Sequence, residues 1–163
     1  MSVKPMNKKG VTLIELVVVF VIIAIGAVLL VPNIGGWLRN YRLKTVTRDI
    51  VSTMRSAQMK AVSLNTEHRV SFDIPASEYL LQIKTTQSAP NDWIPTWTNA
   101  RGQQLQQKLP VGVTMTAVTF PGDNAEFNPN STSSSGSVTL NNNKGMTRRI
   151  VLTAATGRVR IEE

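Results

Sequence analysis

The sequence predicts an α+β protein: a long N-terminal stalk helix, membrane-spanning in its first half, packed on a C-terminal head built from antiparallel β-sheet. Three observations carry that expectation. Residues Val11 to Val31 form an almost unbroken apolar run, Leu43, Val46, Ile50, Met54, Ala57, Ala61 and Leu64 recur every three or four residues, and beyond Asn65 the apolar period falls to two. The chain has 163 residues, enough for one ordinary domain.

The apolar run is long enough, at about 1.5 Å per residue, to cross a hydrocarbon core of about 30 Å. Lys4, Lys8 and Lys9 precede it and no basic residue follows before Arg39, which orients the N-terminus toward the cytoplasm. A secretory signal peptide has the same general layout, but this run is longer than a usual signal core and no A-x-A-like site follows it. A generic signal anchor leaves Glu15 unexplained. That carboxylate is the only charge between Gly10 and Gly36, and an ionisable group in such a segment is a functional candidate by default.

Past the run, Pro32, Gly35 and Gly36 are expected to interrupt the helix, since proline removes a backbone donor and glycine weakens helix propensity. The amphipathic stripe then continues the helix to Leu64, making a stalk of roughly 80 Å if unbroken. Residues 69–74 and 79–84 read as strands joined by Pro75-Ala76-Ser77, and residues 85–102 as a long loop holding Trp93 and Trp97. Val111 to Phe120 is alternating and β-branched, hence strand. Pro121 to Asn124 is a turn, and the Asn-, Ser- and Gly-rich stretch from Phe127 to Ser137 reads as a mobile loop. Residues 137–140, 147–154 and 158–162 are three further strands, the last two a hairpin through Thr156-Gly157. The expected divisions are a leader at 1–10, an apolar helix at 11–36, an amphipathic stalk at 37–66 and a β-rich head at 67–163.

Composition narrows the chemistry. The formal net charge is +8, and no cysteine is present, which removes disulfide scaffolds, zinc ribbons, iron–sulfur clusters and thiol nucleophiles together. His68 is the single histidine, so a histidine metal site or triad is not expected. Its position at the junction of helix and strand points to a structural role, as do Glu67 and Arg69 beside it. Trp93 and Trp97 are read as packing or loop anchors. No acid, base, metal or nucleophile cluster converges, so neither an enzyme nor a cofactor is expected.

The positive charge is not uniform. Most of it lies in the leader lysines, the stalk residues Arg39, Arg42, Lys44, Arg48, Arg55 and Lys60, and the C-terminal residues Lys144, Arg148, Arg149, Arg158 and Arg160. On the stalk, a solvated helix face is the favoured reading, with lipid headgroups or neighbouring subunits as other contacts. In the last strand, Arg158 and Arg160 are two apart and project on one face, about 6.6 Å from each other. Arg148 or Arg149 across the hairpin and Lys144 in the preceding loop would add to such a patch, which would hold phosphate backbone without reading sequence. Edge arginines also deter strand-to-strand aggregation, and Glu162 and Glu163 adjoin them.

Lys8-Lys9-Gly10-Val11-Thr12-Leu13-Ile14-Glu15-Leu16 closely resembles the N-terminal motif of type IV pilins and of the pseudopilins of type II secretion, with Val11 where those families usually carry Phe. The resemblance implies cleavage after Gly10 by a prepilin peptidase, methylation of the new amine at Val11, and pairing of Glu15 with the amine of a neighbouring subunit. It also implies a kink or local melting of the helix at Pro32. Phe127-Asn128-Pro129, Gly136 to Leu140, Arg149 to Leu152 and Thr156-Gly157-Arg158-Val159-Arg160 resemble the GspH/FimT group of minor pilins and pseudopilins. Membership implies an inner-membrane protein crossing once, its head periplasmic, with prepilin peptidase and other pilins as partners. Gly157-Arg158-Val159-Arg160 is similar to the element that FimT-type pilins use to bind double-stranded DNA in natural transformation. Two functions stay open, a minor pilin that enters or primes a pilus and takes up DNA, and a secretion pseudopilin without DNA binding. An unprocessed membrane sensor is a further rival.

Overall fold

The computed structural model describes residues 10–85, 92–96 and 106–162, without side chains at 28–34 and 92. The leader lysines, Trp97 and Glu163 lie outside the described residues. Two compact units are present, one through Trp37 and one from Leu38 to Glu163.

The first unit contains the beginning of α1, the helical run Leu13–Leu64. Its large apolar side chains from Leu13 to Ile25 are exposed all round, between 80% at Leu13 and 45% at Val17. Among the described residues no helix is long and apolar enough to cross a membrane; side chains 28–34 of the expected span are outside the description. The interruption expected at Pro32, Gly35 and Gly36 does not end the helix, because helical backbone is assigned across all three. Proline removes a single donor, and the ladder bonds of neighbouring turns carry the run past it.

The second unit is the head. Among the described residues nine strands follow α1: β1 His68–Asp73, β2 Glu78–Thr85, β3 Asp92–Pro95, β4 Gln107–Lys108, β5 Val113–Val118, β6 Asn124–Phe127, β7 Gly136–Asn142, β8 Thr147–Thr153 and β9 Arg158–Glu162. They form two antiparallel sheets. The first has the order β3-β2-β1-β6, with β4 also on β2; the second has the order β5-β7-β8-β9. Sequence patterning placed the strong alternating strands and missed the short ones. β3 lies inside the stretch read as loop, paired through Lys84↔Trp93 and Gln82↔Pro95. β6 lies where a turn leads into a polar loop, held by Val70↔Ala125 and His68↔Phe127. Both are four-residue strands specified by their neighbours rather than by their own period.

The inner faces of both sheets and one stripe of α1 share a single apolar core. Leu43, Val46, Ile50, Met54, Ala57 and Ala61 are buried in it with Val70, Leu81, Phe127, Leu140, Ile150 and Leu152. Leu64, expected on the stripe, is 57% exposed because it closes the last turn of the helix. Thr47 and Thr53 are also buried on α1, their hydroxyls donating to the carbonyls of Leu43 at 2.7 Å and Asp49 at 2.9 Å.

Polar side chains pin the turns of the second sheet to the helix. The buried Asn142 side chain donates to Asn40 Oδ1 at 2.8 Å, while its own oxygen accepts the amides of Lys144 and Met146 in the β7–β8 turn. Gln58 Nε2 donates to the Thr156 carbonyl in the β8–β9 turn at 3.4 Å. The β7–β8 turn therefore lies at the level of residue 40 on α1 and the β8–β9 turn at the level of residue 58. Strand β8 runs along the helix in the same direction, and β9 returns.

Candidate functional site

Two segments carry the candidate chemistry. In the first, Gly10 and Val11 precede the helix in exposed backbone and the Glu15 amide donates to Thr12 Oγ1 at 3.3 Å. That bond makes Thr12 the N-cap and Glu15 the third helical residue, the arrangement of a capping box, in which a carboxylate at this place is favoured by the positive helix end. The Glu15 side chain is exposed.

The second segment is the hairpin of β8 and β9. Its register, Val151↔Arg160 and Thr153↔Arg158, puts both arginines on the outer face of the sheet, with Val159 turned into the core. Arg158 and Arg160 are exposed, and among the described residues neither forms an ion pair. Arg149 belongs to the same face, pairing in register with Glu162 and lying diagonal to Arg160. Its Nε donates to Ser137 Oγ at 3.0 Å, which ties it toward β7.

The structure does not bring the other two predicted residues to this face. Arg148 pairs in register with the buried Leu140, so it lies on the opposite side of β8 from Arg149. Lys144 is exposed in the β7–β8 turn, at the other end of β8 from the turn that carries Arg158. The site thus reduces to Arg158, Arg160 and Arg149, with Glu162 as its one carboxylate among the described residues of the face.

Gly157 explains why a glycine opens the arginine pair. It is buried with φ +59°, a left-handed conformation, and donates to the Thr153 carbonyl at 2.9 Å to close the turn. A side chain there would run into the Gln58 amide and stand 3.2 Å from the Ser131 carbonyl. Conformation and space therefore both require glycine. Gln58 is a residue that no sequence signal pointed to, because its contact is with a turn 98 residues away.

Elsewhere in the head, polar groups are spent on structure. His68 is fully buried, its Nδ1 donating to the Thr66 carbonyl at 2.8 Å, and Nε2 has no partner among the described residues. Burial pushes its pKa below the ordinary 6.5, with Lys60 adding to the shift and the Thr66 bond opposing it. Arg69 donates to Gln82 Oε1 at 2.6 Å and lies 4.3 Å from the Trp93 ring centre. Trp93 thus anchors the edge strand β3. Tyr79 is raised to about 12, mainly by burial and then by Asp49. Among the described residues no cluster of His, Asp or Glu could hold a metal ion.

The family described as "Prokaryotic N-terminal methylation motif" matches residues 5–31, and the family described as "Type II transport protein GspH" matches residues 46–157. Among solved structures, the minor pseudopilin EpsH of the type 2 secretion system of Vibrio cholerae is similar over 74% of this chain and 96% of that one, at a TM-score of 0.60 and 12% identity. A second crystal structure of EpsH, from the same system, covers 74% and 92% at a TM-score of 0.57 and 12% identity. At this identity the likeness shows the fold alone. No curated protein matches the chain.

Proposed function

The chain belongs to the GspH family of pilin-like type II transport proteins, and from that premise we propose a minor filament subunit that binds double-stranded DNA through its C-terminal hairpin. The methylation-motif match covers Gly10, Val11 and Glu15, which supports processing after Gly10 by a prepilin peptidase and methylation of Val11. In the precursor, residues 11–36 hold the chain in the inner membrane with the head outside the cytoplasm. On assembly, Glu15 pairs with the amine of a neighbouring subunit, because a carboxylate brought into an apolar filament core needs a partner. Pro32 locally weakens the helix between this segment and the stalk. Nothing in this role requires catalysis.

One observation carries the DNA reading: two exposed guanidiniums on a single strand face, without an ion pair among the described residues and held in place by a buried glycine turn. Such a pair suits successive phosphates of a backbone and makes charge-assisted bonds without reading bases. The test is retention of a DNA duplex by the full chain in non-ionic detergent at two salt concentrations. Wild type should bind, more weakly at the higher salt; equal and negligible retention by wild type and by Arg158→Ala/Arg160→Ala would refute it.

A second reading, a secretion pseudopilin without DNA binding, is favoured by Glu162, which faces Arg149 across the strand pair and offsets the field of the arginines. Here the same arginines keep the outer edge of β9 from pairing. Mass spectrometry of the chain from hosts with and without prepilin peptidase tests the premise of both readings, since an N-terminus unchanged at Met1 would refute processing.

A further inference from the structure

We propose that the DNA-binding surface is composite, continuing from β9 across the seam with α1 onto a second basic row formed by Arg55 and Arg48. The inference rests on the DNA reading of the hairpin and deepens it.

The β8–β9 turn sits on Gln58, so the start of β9 lies against α1 at that level. Arg55 is one turn earlier, about 60° further round the helix toward solvent. Lys44, Arg48 and Arg55 fall within about 40° of one another, forming one line along the axis. All three are exposed, and neither ion pair among the described residues, Lys84–Glu67 or Lys108–Glu78, involves them. No carboxylate stands three or four residues from Arg48 or Arg55, so no helix-surface partner neutralises them. The nearest acid of the helix, Asp49, faces the other flank, where it lines a groove of about 300 Å³ with Tyr79 and Lys108.

Because β9 runs back along α1 from the level of residue 58, its arginines and the helix row follow the same axis on one flank of the head. Two basic rows on either side of a shallow seam fit a polyanion wider than a single strand, which a duplex supplies with its two backbones. A surface built this way binds by counterion release, so the number of contacts can be read from the salt dependence. Each phosphate contact adds about −0.9 to the slope of log K against log salt.

The experiment measures fluorescence anisotropy of a labelled duplex titrated with the full chain in non-ionic detergent, from low to physiological salt. Arg48→Gln/Arg55→Gln is compared with Arg158→Gln/Arg160→Gln, and with Lys108→Gln as a single-charge control on the opposite flank. The helix variant should flatten the slope by about two and weaken binding roughly tenfold or more, while the control binds like wild type. Unchanged melting of each variant checks folding, as surface substitutions normally leave stability within about 0.5 kcal/mol. If the helix variant binds like the control while the β9 variant loses binding, the composite surface is wrong and the hairpin reading stands. Should wild type fail to bind the duplex, the hairpin reading itself falls. Loss of flotation with anionic vesicles but no change with DNA, in the helix variant, would assign the row to lipid and overturn the proposal.

Discussion

The outer faces of the two sheets both carry arginine, and they use it in opposite ways. On the first sheet, Arg69 is bonded to Gln82 and covered by Trp93, and Lys84 is bonded to Glu67 at 2.5 Å. On the second, Arg158 and Arg160 stand exposed with no ion pair among the described residues. A formal charge of +8 does not separate the two cases. A cation already enclosed by partners adds little to the field a ligand feels, whereas an unpaired one on a rigid strand is available to phosphate. The difference predicts that the first set serves stability and the second serves binding.

The sharpest way to break that contrast is at Gly157. Gly157→Ala puts a methyl group into the space of the Gln58 amide and close to the Ser131 carbonyl, at a left-handed backbone position. We expect a loss of about 1–3 kcal/mol in thermal unfolding, together with weaker duplex binding as the arginine pair shifts. A variant as stable as wild type would show that the turn is not held by its seat on the helix.

Arg69 comes next. Arg69→Ala removes the bond to Gln82 and the stack on Trp93, and should cost about 1–2 kcal/mol while leaving duplex binding unchanged. Arg158→Ala should do the reverse, changing stability by less than about 0.5 kcal/mol. Parallel melting and anisotropy measurements decide it. Equal stability losses in the two variants would erase the distinction between the sheets.

Much of this arrangement is legible in the sequence, and the illegible part has a common cause. The period-2 runs at β1, β2, β8 and β9 and the stripe on α1 follow from residue spacing, and so does the shared face of Arg158 and Arg160. Which of Arg148 and Arg149 joins them depends on register, which one-residue steps reverse and the sequence left open. The short strands β3 and β6 have too few residues to show a period. Gln58 was illegible for a different reason, since its role comes from a turn that folds back on it from the far end of the chain. That Trp93 serves as an anchor is legible, whereas its partner Arg69, on another strand, is not.

His68 sharpens the account of the first sheet. Burial lowers its pKa in the folded state, while the unfolded imidazole takes a proton near its ordinary 6.5. Below that value the unfolded state therefore binds more protons than the folded state, and stability falls as pH drops; above it the residue contributes no slope. Between pH 6.5 and 5 the decline should not exceed about 1.4 kcal/mol per pH unit, the limit for one proton. His68→Asn, which keeps a donor for the Thr66 carbonyl and cannot titrate, should flatten the profile. A wild-type midpoint that stays constant from pH 7 to 5 would show that the folded ring accepts the proton after all.

The smallest effect is expected at the Lys84–Glu67 pair, despite its short distance. Their side chains are 27% and 38% exposed, so water screens the attraction and ordering two long side chains opposes it. A double-mutant cycle with Lys84→Met and Glu67→Gln should give a coupling below about 1 kcal/mol that declines as salt rises. A coupling well above that, insensitive to salt, would mean that the pair behaves as buried and that the first sheet depends on its charges more than on its core. The weak result is the one that supports the comparison, because a paired cation then matters chiefly by being unavailable to a ligand.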